Sequence, residues 1–139
     1  MGMYTELFLS CRVKNDPVAV QVLKYMSDIE ASENAPGFAL PHHPFFTTAR
    51  WSWMFHSVSF YFVPKSICIF EQDDIEVHTE GNWTLIVRCD LKNYNDEIEC
   101  LVQWLDQYID GYDGEMIGYS RYEEDREPTI LYKSGDYHA

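Results

Sequence analysis

Basic residues are scarce in this 139-residue chain: ten Lys and Arg stand against 23 Asp and Glu, a formal net charge of −13 at pH 7. A folded chain of this length has a radius of gyration of about 14 Å, so the carboxylates crowd a small surface and set up a strongly negative outer field. Ordinary binding to phosphate backbones needs a basic footprint, which this balance excludes. Docking on anionic membranes is disfavoured for the same reason. Long apolar runs are missing as well. No stretch approaches the roughly 18 apolar residues of a membrane span, and no basic segment followed by an apolar one opens the chain, so a cytoplasmic protein is expected. Glu6 stands where a myristoylation signal requires Ser or Thr, so Gly2 is no lipid anchor.

Motifs of chemistry are equally sparse. Cys11, Cys68, Cys89 and Cys100 show no CxxC spacing and sit in apolar contexts, which reads as small buried hydrophobes rather than zinc ligands or disulfides. His42, His43, His56 and His78 follow no HxH, HxxxH or HExxH pattern, so nothing aims two imidazoles at one ion. Carboxylates gather at Glu71, Asp73, Asp74 and Glu76, around residues 106–115, and in the turn 123–127, without the ligand order of an EF-hand. GxGxxG, GxxxxGK[ST] and GxSxG are all lacking. The expectation is a protein that is not an enzyme, with no cofactor and no metal.

What the chain does have is apolar content. Apolar residues make up 46% and aromatics 16%, enough for a real core in one domain spanning 1–139. A shift of 78 residues lays Leu7, Cys11, Lys14 and Asn15 on Leu85, Cys89, Lys92 and Asn93, and then Leu23 on Leu101 and Met26 on Trp104. Each copy, near 4–29 and 83–110, reads as strand, polar turn and helix. Leu7, Leu9, Cys11 and Val13 alternate with Glu6, Ser10 and Arg12; Trp83, Leu85, Val87, Cys89 and Leu91 alternate in the second copy. Asp16 before Pro17 marks a helix start, and Ala19, Val22, Leu23, Met26 and Ile29 form its apolar stripe. In the second helix Asn93 or Asn95 caps, Asp96 and Glu97 fall in the first turn, Ile98, Leu101, Val102, Leu105 and Ile109 form the stripe, and Gly111 closes it.

Further strands are expected where His56, Val58, Phe60 and Phe62 alternate before Pro64, at 67–70 and 75–78, and in a C-terminal hairpin over 115–133, with a turn at 80–82 and a frayed tail at 134–139. Two β-α-β units on one sheet predict an α+β fold: a ferredoxin-like two-layer sandwich with extra antiparallel strands and both helices on one face. The long segment 31–55 interrupts this order with prolines and the aromatics Phe45, Phe46, Trp51, Trp53 and Phe55. It reads either as a lid over the open sheet face or as a binding platform.

Acidic patches interleaved with tyrosines are the main functional signal. Asp106, Tyr108, Asp110, Tyr112, Asp113, Glu115, Tyr119, Tyr122, Glu123 and Glu124 are the expected partner-binding residues. Carboxylates attract a basic partner at long range, and tyrosines supply contact area at low entropic cost. The leading expectation is therefore an inhibitor of a basic, nucleic-acid-handling protein that mimics nucleic-acid charge and does not itself bind nucleic acid or membrane. Phage anti-defence proteins such as anti-CRISPRs, and immunity proteins of nuclease toxins, are acidic chains of this size, an analogy of class carried by no shared motif. The alternative is a small-molecule or nucleotide binder built from Arg50, Trp51, Trp53, His56, Arg88 and Arg121, which could stack on a base and pair a phosphate. A carboxylate-dependent hydrolase ranks below both. An exposed edge strand or uncovered sheet face would favour a homodimer.

Overall fold

Leu7, Leu9, Cys11 and Val13 take alternate positions on β1 (Thr5–Val13) and are buried, while Ser10 and Arg12 between them are exposed. The same alternation buries Trp83, Leu85, Val87, Cys89 and Leu91 on β5 (Trp83–Leu91) and exposes Ile86, Arg88 and Asp90. One face of each strand is thus given to the core, as a period of two requires. The computed structural model describes residues 4–55, 59–64, 67–71, 74–78 and 82–133. His56 and Val58 of the expected strand, Glu80 and Gly81 of the expected turn and the tail 134–139 lie outside the described residues.

The chain is a mixed α/β protein with an antiparallel sheet and few helices. In order it forms β1, α1 (Pro17–Ser27), the single turn α2 (Ile29–Ser32), β2 (Ser59–Pro64), β3 (Ile67–Glu71), β4 (Asp74–His78), β5, α3 (Glu97–Leu105), β6 (Met116–Tyr122) and β7 (Thr129–Tyr132). Among the described residues five strands form one sheet in the order β2-β5-β1-β6-β7, every neighbouring pair antiparallel, and β3 and β4 pair separately. The two repeat-bearing strands lie side by side. Leu9 faces Val87, Leu7 faces Cys89 and Cys11 faces Leu85. Because Leu9 and Val87 are also partners under the 78-residue shift, the centre of the repeat falls on the centre of the strand register.

Asp16 starts α1 as expected: its Oδ1 accepts from the amides of Val18 at 2.9 Å and Ala19 at 3.2 Å. Ala19, Val22, Leu23, Tyr25 and Met26 are its buried residues. Ile29 does not extend that stripe. Asp28 takes an extended conformation (φ −96°, ψ 109°), ends α1, and caps α2 through a bond from Ala31 N, which leaves Ile29 54% exposed.

The second helix differs from expectation at both ends. Asp96 is not in its first turn but precedes it in the left-handed region (φ 57°) and makes no side-chain cap. Asn93, not Asn95, supplies the acceptor, taking the amide of Ile98 at 2.8 Å. Trp104 rather than Val102 joins Ile98, Leu101 and Leu105 in the buried stripe. The helix ends at Leu105, ahead of Gly111, and a 3-10 turn, Asp106–Tyr108, follows. Ile109 then bridges Val13 and Asp110 N donates to Arg12 O at 2.8 Å, so pairing with the end of β1 pulls the chain out of helical geometry.

Segment 31–55 packs against the helices, not over the open face of the sheet. Phe45 stacks on Trp104 of α3 at 6.1 Å, Trp51 lies 5.7 Å from Tyr25 of α1, and Phe46 meets both Trp51 and Trp104. Phe45, Trp51, Met54 and Phe55 join the strand and helix residues in one hydrophobic cluster. Fully burying a large apolar side chain is worth about 1.5–3 kcal/mol, against about 1 kcal/mol for a cap such as Asp16. Packing therefore dominates.

Candidate partner-binding end of the sheet

Antiparallel pairing brings the start of β1 to the ends of β5 and β6. Thr5 faces Leu91 on one side and Tyr122 on the other. The residues flanking these pairs, Tyr4, Lys92, Tyr94 and Glu123, therefore share one end of the sheet, and Arg50 and Trp53 reach it from segment 31–55. Tyr4, Trp53 and Tyr94 are 44%, 53% and 58% exposed there.

Three depressions open at this end. One of about 400 Å³ lies between Tyr4, Glu6, Asp90, Arg121 and Glu123. A second, about 280 Å³, is polar, with Tyr94, Glu99, Ser120, Tyr122 and Asp125 among its walls. A third, about 400 Å³, has apolar walls and is lined by Tyr4, Arg50, Trp53, Met54, Asp90, Leu91 and Lys92.

The carboxylates here are held in place. Tyr4 N donates to Glu123 Oε1 at 3.2 Å and Glu123 N donates to Tyr4 O at 3.1 Å, tying the turn after β6 to the start of β1. Glu6 pairs with Arg88 at 3.2 Å and accepts from Tyr119 OH at 3.1 Å, while Phe8 stacks on Tyr119 at 5.7 Å. The Tyr119 hydroxyl is pushed above its usual range by desolvation first and by its bond to Glu6 second. Desolvation, then Glu124 and Glu123, raise Tyr122 in the same direction. Both phenols remain protonated donors at neutral pH.

Arg50 anchors the aromatic side of the site. Its Nη1 lies 3.5 Å from Oε2 of Glu97, a carboxylate with no exposed surface, and its guanidinium stands 5.1 Å from the Tyr94 ring. Glu97 Oε1 accepts from Asn95 N at 2.9 Å, whereas Oε2 has no hydrogen-bond partner among the described residues. Lys92 Nζ lies 5.7 Å from the ring of Tyr4.

The expected partner-binding set is divided by the fold. Tyr119, Tyr122, Glu123 and Glu124 belong to this end or to the strand leading to it. Asp106, Tyr108, Asp110, Tyr112, Asp113 and Glu115 lie beyond the opposite end of β6, about 20 Å away at the usual rise of a strand. Several of these have structural work. Tyr108 packs 5.3 Å from Trp104, Asp110 accepts from Asn82 Nδ2, and Asp113 pairs with Lys133 at 3.3 Å. Tyr112 is 71% exposed. The expected ligand set does not assemble either. Arg50 and Trp53 share the third depression, Arg121 lines the first, Arg88 is bound to Glu6, Trp51 is buried in the aromatic cluster, and His56 is outside the described residues.

Tyr4, Asp90, Lys92, Tyr94 and Glu99 carry no functional signal in the sequence, and Asp125 stands out there only as part of the acidic turn 123–127. Their signal is the strand register, which places residues flanking three separate strand ends side by side.

Among the described residues no group of three or more His, Cys, Asp or Glu could hold a metal ion. Cys11 and Cys89 are pushed up to about 12 by burial and, secondarily, by Glu115 and Asp90 respectively, which leaves them without nucleophilic character at neutral pH. Among the described residues no helix is long and apolar enough to cross a membrane. This end of the molecule can therefore offer carboxylates, phenol donors and flat aromatic faces. Comparison with protein families, with characterised proteins and with solved structures found no match to this chain.

Proposed function

We propose that this protein is a non-enzymatic binding module whose acidic, aromatic sheet end receives a basic protein surface. One observation carries the reading: exposed Tyr4, Trp53 and Tyr94 stand at the same end as Glu6, Asp90, Glu99, Glu123 and Asp125. Aromatics of this kind dominate interface hot spots, and surrounding carboxylates steer a cationic partner. A nucleic-acid-handling protein carries such a cationic face, and the module would occupy it in place of phosphates as an inhibitor.

For the scaffold we propose a ferredoxin-like sandwich. The order β2-β5-β1-β6, with α1 between β1 and β2 and α3 between β5 and β6, supports it. Burial of one face of β1 and β5 in the cluster that also holds residues of α1 and α3 supports both helices on that face.

The test is capture from a lysate of the producing cell at low salt, followed by a titration with purified partner. A basic protein is expected, with affinity falling as salt rises. Tyr94→Ser and Glu123→Lys should each weaken binding at least tenfold, and Tyr112→Ser at the other end should not. Recovery of no basic protein, or loss on Tyr112→Ser with Tyr94→Ser silent, overturns the assignment.

A further inference from the structure

The third depression differs in chemistry from the two acidic ones beside it. Its floor is apolar, Met54 being 2% and Leu91 5% exposed, and Trp53 and Tyr4 form its walls. Two of the ten cations of the chain, Arg50 and Lys92, line it against a single carboxylate, Asp90. The two cations make the interior of this depression unsuited to a basic side chain, even where its rim aromatics meet a partner.

We propose that this cleft is a small-molecule site for a flat aromatic ring carrying an anionic group. Its volume of about 400 Å³ falls within the roughly 300–1,000 Å³ of small-ligand sites, which likewise combine apolar walls with a few placed polar groups. Trp53 offers an exposed indole for stacking on a planar ring.

The anion falls to Lys92 and Arg50. Lys92 rests near the Tyr4 ring and Arg50 near the Tyr94 ring, so each cation is already positioned before a ligand arrives. Glu97 engages Arg50 through one nitrogen at 3.5 Å. A guanidinium has five N–H donors, and those not facing Glu97 can pair a carboxylate or a phosphate. Screening at physiological salt, with a Debye length of about 8 Å, weakens the more distant carboxylates, so the local field is set by Arg50 and Lys92 against Asp90 and Glu97. The site shares Tyr4, Trp53 and Asp90 with the proposed partner interface, but its ligand is recognised without a partner and its test uses none.

Calorimetry with three probes sharing one ring system tests the assignment: 2-naphthoate, 2-naphthylmethanol and 2-naphthylmethylamine, with adenosine 5′-monophosphate as a phosphate-bearing arm. We expect one anionic probe to bind at submillimolar concentration, at least tenfold tighter than the alcohol and the amine. Tighter 2-naphthoate assigns a carboxylate ligand, and tighter adenosine monophosphate a phosphate. Lys92→Met and Trp53→Ala should each weaken that probe at least fivefold with circular dichroism unchanged, while Met116→Ser, exposed at the opposite end of β6, should leave it intact. Amine or alcohol binding as tightly as the anions, no binding at millimolar concentration, or indifference to Trp53→Ala would each overturn the proposal.

Discussion

Trp53 and Trp104 show how differently one residue type can be used in this chain. Trp104 is 1% exposed, wedged against Phe45, Phe46 and Tyr108, with its Nε1 lacking a hydrogen-bond partner among the described residues. Trp53 is 53% exposed beside the cationic cleft. Trp104→Ala should therefore cost about 3–5 kcal/mol in urea unfolding, while Trp53→Ala should stay within about 0.5 kcal/mol. Equal losses would mean that the aromatic segment packs otherwise. The 78-residue shift lays Trp104 on Met26 of the first copy, yet the apolar stripe read from helical spacing takes Val102 in its place. Nothing in the run Arg50, Trp51, Ser52, Trp53 separates the buried indole from the exposed one, because a 3-10 turn has no long apolar stripe to read.

Among the elements, β6 depends on a single glycine. Gly118 lies opposite Leu9 with φ +156°, and a Cβ there would come 1.9 Å from the carbonyl oxygen of Phe8. Gly118→Ala should disrupt the pairing of β1 with β6 and cost more than about 2 kcal/mol, whereas Gly37→Ala, with open space around it, should be nearly neutral. Urea midpoints of the two variants decide the matter, and a silent Gly118→Ala would show that the strands pair differently. The main strands were legible because alternation of apolar residues is a local signal. The helix ends were not. Asp28 breaks α1 early by capping the next turn through Ala31 N, a choice the apolar stripe does not reveal, and Ile109 leaves the helical path to pair with distant Val13.

Across the whole molecule, acidity shapes the titration of the weak acids. Cys11, Cys89, Cys100, Tyr25, Tyr108, Tyr119 and Tyr122 all have raised pKa values, with burial the largest cause in each and nearby carboxylates adding to most. In the folded protein Cys11 and Cys89 keep their protons to about pH 12, against an ordinary value of 9.0. Below about pH 8 both states hold these protons and stability is unaffected by them. Above it the unfolded thiols ionise first, so the unfolded state binds fewer protons and stability falls as pH rises. The urea midpoint should drop between pH 8 and pH 10.5, with a shallower slope in a Cys11→Ala, Cys89→Ala double variant. A midpoint that does not move with pH would contradict the burial of these thiols.

By itself the sequence determined the acidic surface, the burial of Cys11 and Cys89, the alternating strands and the internal shift that relates β1 to β5. Each is a local or compositional property, readable wherever side-chain chemistry repeats at a fixed spacing. The division of the acidic and tyrosine-rich residues between two ends of the sheet was decided only by tertiary structure, as was the meeting of Tyr4, Trp53, Asp90 and Tyr94 at one of them. Antiparallel pairing reverses direction at every strand, so neighbours along the chain such as Glu115 and Tyr122 separate to opposite ends while Tyr4 and Glu123 come within hydrogen-bonding reach.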